Sequence, residues 1–249
     1  MYRRILASLP LIKSIFMKYF LAAVISSVLL LGCSKSNSTM ELSGEVFGLK
    51  KGTLFLQKIK DSSFVTIDSM KVDGDANFHF SANMESPEVF YLTMQFQDSL
   101  KTQKRVPFFA EAGEITLTSK LKNFEIESKV SGSENHQKWE EYQALMKRYN
   151  NKKLEVIEAY YNALKDGNDS LAQSIAKQQE KLISSSYLAT INFAKNHNDL
   201  EIAPYLMITE VADANPKFQD TIYNLLAQKV KDSKYGKQME SFIKNRKEN

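Results

Sequence analysis

The chain contains a single cysteine, Cys33, among its 249 residues. One cysteine cannot form an intramolecular disulfide, and it cannot supply the two thiols that dithiol redox chemistry requires. The fold must therefore be stabilised by packing and hydrogen bonds alone. This absence excludes the disulfide-stapled small domains and the dithiol oxidoreductases.

Glycine is scarce, and histidine is scarcer. The nine glycines stand mostly at predicted turns, and the sequence has neither a Gly-x-Ser-x-Gly elbow nor a phosphate-binding glycine loop. The three histidines, His79, His136 and His197, have no second histidine or cysteine at ligand spacing. Because a metal site needs convergent ligands, we expect isolated histidines, no metal and no cofactor.

Pairs of carboxylates are the remaining candidates for catalysis. They are Glu111 with Glu114, Glu125 with Glu127, and Glu140 with Glu141. The first pair flanks a turn, the second alternates on a predicted strand, and the third stands on a polar helix face. We interpret all three as solvated surface, predict no catalytic residue, and expect that the chain is not an enzyme.

The N-terminal segment has no acidic residue before Glu41. Four basic residues precede an apolar run, Tyr19–Leu31, and they are Arg3, Arg4, Lys13 and Lys18. This run is shorter than the about 20 residues of a transmembrane helix. A positive segment followed by a short apolar run is typical of an export signal, and a signal anchor that is never cleaved is the alternative.

The apolar run ends in a sequence typical of a lipobox, Leu30-Leu31-Gly32-Cys33. In such a sequence the cysteine thiol accepts a diacylglyceryl group, and cleavage before the cysteine allows a further acyl chain such as palmitate. Several acyl chains hold a protein durably in a membrane. We predict a lipoprotein signal peptide over residues 1–32 and lipidation at Cys33. A start at Met17 would also give a complete signal.

Residues 33–39 are polar and predict a lipidated tether. No acidic residue follows Cys33 closely, which favours a periplasm-facing position at the outer membrane of the cell envelope. Four of the 33 basic residues and none of the 29 acidic residues lie in the first 32 positions, so the remaining chain carries equal numbers of both. A neutral chain gives no electrostatic reason to expect a nucleic-acid partner.

From residue 40 to residue 132 the hydrophobic period is near two, with turn residues between the runs. The predicted strands are Glu41–Leu49, Thr53–Ile59, Phe64–Val72, Asn77–Ala82, Val89–Phe96, Arg105–Ala110, Glu114–Ser119 and Phe124–Ser131. Asp73-Gly74 indicates a hairpin turn. No helical crossover separates the strands, so we predict an antiparallel β-sandwich or partial barrel rather than a parallel sheet.

From residue 133 to residue 249 the period becomes helical. Ser133 is a good N-cap, and a helix of about 30 residues follows it. Asp166-Gly167-Asn168-Asp169 separates it from a second long helix, which predicts a helical hairpin. Shorter helices are predicted over 202–212, 216–230 and 235–246. The sequence therefore predicts an α+β fold.

Aromatic residues offer a candidate binding surface. Tyr149, Tyr160 and Tyr161 lie in the predicted hairpin, and Phe108-Phe109 lies in the sheet half. An exposed cluster of this kind could bind a glycan or a peptide. Packing between helix and sheet is the alternative, and we favour it because Tyr149 and Tyr160 follow the apolar stripe of the first helix.

Several local motifs resemble a known module. They are Gly44-x-Val46-x-Gly48-Leu49, Val72-Asp73-Gly74, Asn77-Phe78-x-Phe80, Phe109-x-Glu111-x-Gly113 and Ser233-x-Tyr235-Gly236. Together they resemble the uncharacterised N-terminal β module and the following helical segment of thioredoxin-like envelope lipoproteins, over most of residues 41–245. In those relatives a thioredoxin domain with Cys-x-x-Cys carries the activity, and this sequence has no such motif.

These observations predict a membrane-anchored envelope lipoprotein that acts as a non-catalytic binding or accessory module. The expected partners are the membrane, through the lipid, and an envelope protein, peptide or glycan. Two alternatives stay open: an enzyme of unrecognised type, such as a hydrolase that uses carboxylates, or a scaffold partner of a separate thioredoxin-like oxidoreductase.

Overall fold

A computed structural model of the chain describes residues 39–97 and 100–248. From Thr39 onward these residues form one compact unit. The predicted signal peptide, Cys33 and all of the predicted tether except Thr39 lie outside the described residues. No helix in the described part is long and apolar enough to cross a membrane.

In the described part of the chain, eight strands precede six helices. The strands are β1 (Thr39–Phe47), β2 (Lys51–Lys60), β3 (Ser63–Asp73), β4 (Asn77–Asn83), β5 (Glu88–Gln95), β6 (Gln103–Ala110), β7 (Gly113–Lys120) and β8 (Lys129–Ser131). The helices are α1 (Glu134–Lys165), α2 (Asp169–Asn196), α3 (Ile202–Thr209), α4 (Pro216–Leu225), α5 (Gln228–Lys231) and α6 (Lys234–Glu248). The predicted α+β class, with strands first and helices after, is confirmed.

The strands form two four-stranded sheets, and one pair departs from the antiparallel prediction. The sheet orders are β4-β1-β7-β8 and β3-β2-β5-β6. β1 and β7 are parallel, from Met40 opposite Gly113 to Phe47 opposite Lys120. A parallel pair needs a long crossover, which we expected to be a helix. Here strands that alternate between the two sheets supply the crossover, so no helix is required.

The turn chemistry also differs from the prediction. Gly74 has the predicted positive φ of 98°, but it joins β3 to β4, which belong to different sheets, so this turn is a corner rather than a hairpin. The hairpin between β2 and β3 turns at Asp61 and Ser62, with φ of 49° and 63°. Neither residue is glycine, so the glycine pattern that predicts hairpin turns is absent at this turn.

The period of two along the strands is explained by the core between the sheets. Leu42 and Leu117 from one sheet and Leu56, Leu92 and Phe108 from the other are fully buried. The eighth strand is shorter than predicted and begins at Lys129. Residues 121–127 form turns instead, because Phe124 enters the core, where its carbonyl accepts a hydrogen bond from Ser119 Oγ at 2.6 Å.

The helical hairpin follows the predicted boundaries closely. Ser133 caps α1, and its side chain accepts a hydrogen bond from the His136 amide at 3.0 Å. Gly167, with φ of 68°, and the N-cap Asn168 complete the turn into α2. The N-terminal part of α1, which we call proximal, packs on the outer face of the second sheet. The C-terminal part, which we call distal, packs on α2. The hairpin therefore projects beyond the layer that it covers.

Candidate functional site

Phe109 lies at the centre of the contact between the second sheet and the helices. Its ring is fully buried and makes edge contacts with Trp139, Tyr205 and Tyr235, at centroid distances of 5.7, 5.3 and 6.0 Å. The Tyr235 hydroxyl accepts a hydrogen bond from the Val89 amide at 2.9 Å. This aromatic cluster orients α1, α3 and α6 on the sheet, and it positions the walls of the cleft described below.

A buried polar network lies beside this cluster. The Asn135 side-chain amide donates to Glu111 Oε2 at 2.9 Å and to Glu201 Oε2 at 3.1 Å, and its carbonyl accepts from the Ile202 amide at 2.8 Å. Glu111 also accepts hydrogen bonds from the backbone amides of Glu134 and Asn135 at the start of α1. One asparagine thus joins the sheet, the start of α1 and the start of α3.

Burial shifts the pKa values of two groups in this region. It raises the pKa of Glu201 above the ordinary value of 4.5, although the hydrogen bond from Asn135 partly opposes the shift. Burial also lowers the pKa of His136 below 6.5, against the effect of the nearby Glu140 carboxylate. His136 Nδ1 accepts a hydrogen bond from the Phe109 amide at 3.3 Å. This bond is possible only while Nδ1 carries no proton, which favours the neutral ring.

Two adjoining cavities form a cleft along α1. One, of about 380 Å³, lies between α1 and α2, and the other, of about 330 Å³, lies over the proximal part of α1. Both are lined by Tyr142, Met146, Asn150 and Glu210; the first adds Tyr149, Lys153, Leu182, Ile183, Ser186, Tyr187 and Thr190, and the second adds Trp139, Gln143 and Lys147. We call these residues the aromatic cleft.

A hydrogen bond between two side chains holds the floor of the aromatic cleft, and charged side chains lie at its rim. The oxygens of the Tyr142 and Thr190 hydroxyls lie 2.9 Å apart, and burial raises the pKa of Tyr142 to about 12. Within the described part of the chain, Lys147, Lys153 and Glu210 have no ion pair or side-chain hydrogen bond. A tyrosine with so high a pKa stays protonated at neutral pH, so the Tyr142 hydroxyl does not act as a base there.

A third cavity, of about 710 Å³, lies where the ends of β2 and β5 meet α6. The buried carboxylate of Glu88 bridges the ammonium groups of Lys58, at 2.8 Å, and Lys234. The lining includes three lysines and the acidic Asp61, Glu85 and Glu88, so its formal charges cancel. We interpret these two ion pairs as a structural contact between the sandwich and α6.

The histidines that were candidates for metal binding lie in separate parts of the structure, and so do the three carboxylate pairs that were candidates for catalysis. His79 is exposed and lies 3.1 Å from Glu41, whereas His197 Nδ1 donates to the Phe193 carbonyl at 2.9 Å. Among the described residues, no three or more histidine, cysteine, aspartate or glutamate side chains come together in a way that could hold a metal ion. The interpretation of the carboxylate pairs as solvated surface is wrong for Glu111, which is half-buried and bound to the start of α1.

The candidate aromatic residues also divide. Phe109 is fully buried between the sheet and the helices, as we favoured, whereas Phe108 is fully buried in the core between the two sheets. Tyr149 lines the aromatic cleft, whereas Tyr161 is 65% exposed and lies outside its lining. Sequence reasoning missed Asn135 and Glu201, which are 66 positions apart. A usable signal was the single charge of Glu201 directly before the uncharged run of α3.

Comparison with known proteins identifies one region. Residues 40–139 match the model of a family described as a domain of unknown function (DUF4369). This range covers the sandwich and the first turns of α1, and it ends at Trp139 on the aromatic cleft. No curated protein and no solved structure matches the chain. The family description names no activity, so the cleft must be interpreted from its own geometry.

Proposed function

We propose that the chain is an envelope lipoprotein, anchored through Cys33, that binds a peptide segment in the aromatic cleft and performs no chemistry on it. The observation that carries the proposal is the cleft itself. It joins an aromatic and aliphatic floor to charges of both signs at its rim, which have no ion pair within the described part of the chain. Sites of this kind bind through apolar contact and a few orienting polar groups.

The dimensions of the cleft favour a peptide over a glycan. Its lining follows α1 from Trp139 to Lys153, which is about 21 Å of helix and corresponds to roughly six residues of extended chain. Met146 and Leu182 add flexible apolar surface, which adapts to varied side chains. A glycan would require flat exposed aromatic faces, whereas Tyr142 and Trp139 present little exposed area.

The alternative of a carboxylate enzyme rests on Glu111 and Glu201, which meet at the Asn135 amide. Neither carboxylate lines any of the three cavities described above. Their oxygens bind amides that hold the helices on the sheet, so we interpret the pair as structural. A scaffold role beside a separate thioredoxin-like protein is compatible with the cleft, because a peptide segment of such a protein could occupy it.

Trp139 provides the test of binding. It is the only tryptophan in the chain and it lines the cleft, so its emission reports occupancy. The probes are six-residue peptides with apolar centres and oppositely charged ends, and the disaccharide repeat of peptidoglycan. We expect saturable shifts with a subset of the peptides, lost in Tyr149→Ala and Glu210→Ala and kept in Ile126→Ala. Shifts with the disaccharide alone, or equal shifts in all variants, would contradict the proposal.

The anchor is tested separately. Cells that express the full chain are fed an alkyne analogue of palmitate, and the labelled protein is detected after membrane fractionation. We expect label on the wild-type chain and none on Cys33→Ala, because the thiol accepts the diacylglyceryl group. A Cys33→Ala protein that stays labelled and processed would overturn the lipoprotein assignment without affecting the binding proposal.

A further inference from the structure

The distal part of α1 carries a second line of apolar side chains, which we call the distal seam. It consists of Leu154, Ile157, Tyr161 and Leu164. Leu154 and Tyr161 are 66% and 65% exposed, Leu164 is 42% exposed, and Ile157 is half-buried. The steps of three, four and three residues are the spacing of the a and d positions of a coiled coil.

The distal seam is distinct from the stripe that packs on α2. That stripe includes Val156, Tyr160 and Ala163, which contact the α2 residues Ala172 and Ile175. At about 100° per residue, the two lines are roughly 110° apart around α1. The pairing of α1 with α2 therefore leaves the distal seam uncovered, on an arm that already projects from the sandwich.

Unpaired charges flank the distal seam at complementary positions. With Leu154 and Tyr161 at a positions, Lys153 takes a g position and Glu158 takes the e position five residues later. In a parallel coiled coil, a g residue faces the e residue of the next heptad on the other helix. Within the described part of the chain neither Lys153 nor Glu158 has an ion pair, although the nearby Lys152 and Glu155 are 2.7 Å apart.

We propose that the distal seam is a contact between two copies of this chain, with their α1 helices parallel. The two-fold axis of such a dimer places Lys153 of each copy opposite Glu158 of the other, so two ion pairs border the apolar contact. The four seam residues of each copy then form the two-helix contact. This proposal does not rest on the function of the cleft.

The extent of the distal seam sets the expected strength of the dimer. It spans about three turns of helix, so it buries less than the about 1,600 Å² of a standard stable interface. We therefore expect a reversible dimer whose population rises with protein concentration. Attachment of both copies to one membrane would raise their effective concentration and favour the dimer further.

Sedimentation velocity across a concentration series tests the proposal, with the chain from Ser34 onward, since the residues from Thr39 form one compact unit. We expect a concentration-dependent shift from monomer to dimer in the wild type. Tyr161→Glu, which places a like charge pair in the contact, should stay monomeric with unchanged circular dichroism. Ile126→Glu, at a site 86% exposed and outside the seam, should dimerise as the wild type does.

Charge reversal tests the register. Lys153→Glu and Glu158→Lys should each weaken dimerisation about tenfold or more, because each creates two like-charge contacts, and the double reversal should restore it. A wild type that stays monomeric at the highest concentration overturns the proposal. Dimers that Tyr161→Glu does not affect overturn it as well, and failure of the double reversal to restore the dimer overturns the parallel register. None of these measurements needs a ligand for the cleft.

Discussion

At the scale of single residues, Asn135 has the most demanding role in the fold. It is almost completely buried, and its amide group bonds two carboxylates and one backbone amide. A buried polar group without a partner costs more than the bond itself contributes, because the group has lost its hydration. Without the Asn135 side chain, the Glu201 carboxylate and the Ile202 amide would stay buried and lose these hydrogen bonds.

We therefore expect Asn135→Ala to lower the free energy of unfolding by about 3 kcal/mol. Asn151→Ala, at an exposed site on the same helix, serves as the matched control and should change it by less than about 0.5 kcal/mol. Urea denaturation followed by circular dichroism measures both values. Equal stability of the two variants would contradict the assigned role of the network.

Glu201 gives a prediction about pH. Because burial raises its pKa in the folded chain, the folded state binds a proton more readily than the unfolded state does. The contribution of Glu201 to stability is then greatest below the ordinary pKa of 4.5, and it falls as pH rises through the raised pKa. Glu201→Gln has no charge to bury and keeps an oxygen that can accept from Asn135.

The free energy of unfolding of Glu201→Gln, relative to the wild type, should therefore increase as pH rises above 4.5 and then level off. Urea denaturation of both proteins over a pH series checks this, and the subtraction removes the opposite effect of His136, which both proteins share. A difference that stays constant with pH would show that Glu201 has an unshifted pKa.

At the scale of elements, the sequence predicts the secondary structure of each segment better than it predicts which segments pair with each other. Seven of the eight predicted strands lie within two residues of the structure at both ends, because hydrophobic period and turn residues are local signals. The parallel pairing of β1 with β7 is not local, since it depends on the alternation of the chain between two sheets. Likewise the contact of Asn135 with Glu201 is not local, because the two residues are 66 positions apart with the helical hairpin between them.

Gly44 marks the close contact of β1 with its parallel neighbour. A Cβ atom at this position would lie 1.7 Å from the Leu117 carbonyl oxygen on β7, so one of the strands would have to move. We expect Gly44→Ala to destabilise the fold by about 3 kcal/mol, as overpacking in a core does. At Gly74 an added Cβ atom would have no neighbouring atom within 4 Å. We therefore expect Gly74→Ala to lower the free energy of unfolding by only about 1 kcal/mol, because of the positive φ.

Urea denaturation of the two glycine variants checks this difference. If Gly44→Ala proved as stable as Gly74→Ala, then β1 and β7 could not be as close as described. The comparison tests the pairing that sequence reasoning did not predict, and it does so without reference to any ligand.

At the scale of the whole molecule, the sandwich and the helices share one aromatic junction. Phe109 from β6 contacts Trp139 of α1, Tyr205 of α3 and Tyr235 of α6. Neither part can unfold without exposing this cluster to water. We expect one cooperative transition, in which Trp139 emission and the circular dichroism of the chain change at the same urea concentration. Separate midpoints would indicate that the two parts fold independently.

We propose that the aromatic cleft holds a peptide segment in the intact cell envelope, and photo-crosslinking in intact cells tests this proposal most directly. A benzophenone amino acid replaces Tyr149 in the cleft or, as the control, the exposed Ile126. We predict a discrete, light-dependent adduct with a polypeptide for position 149, none for position 126, and loss of the adduct when Glu210→Lys is added. The absence of an adduct at position 149, or the same adduct at both positions, would contradict the claim.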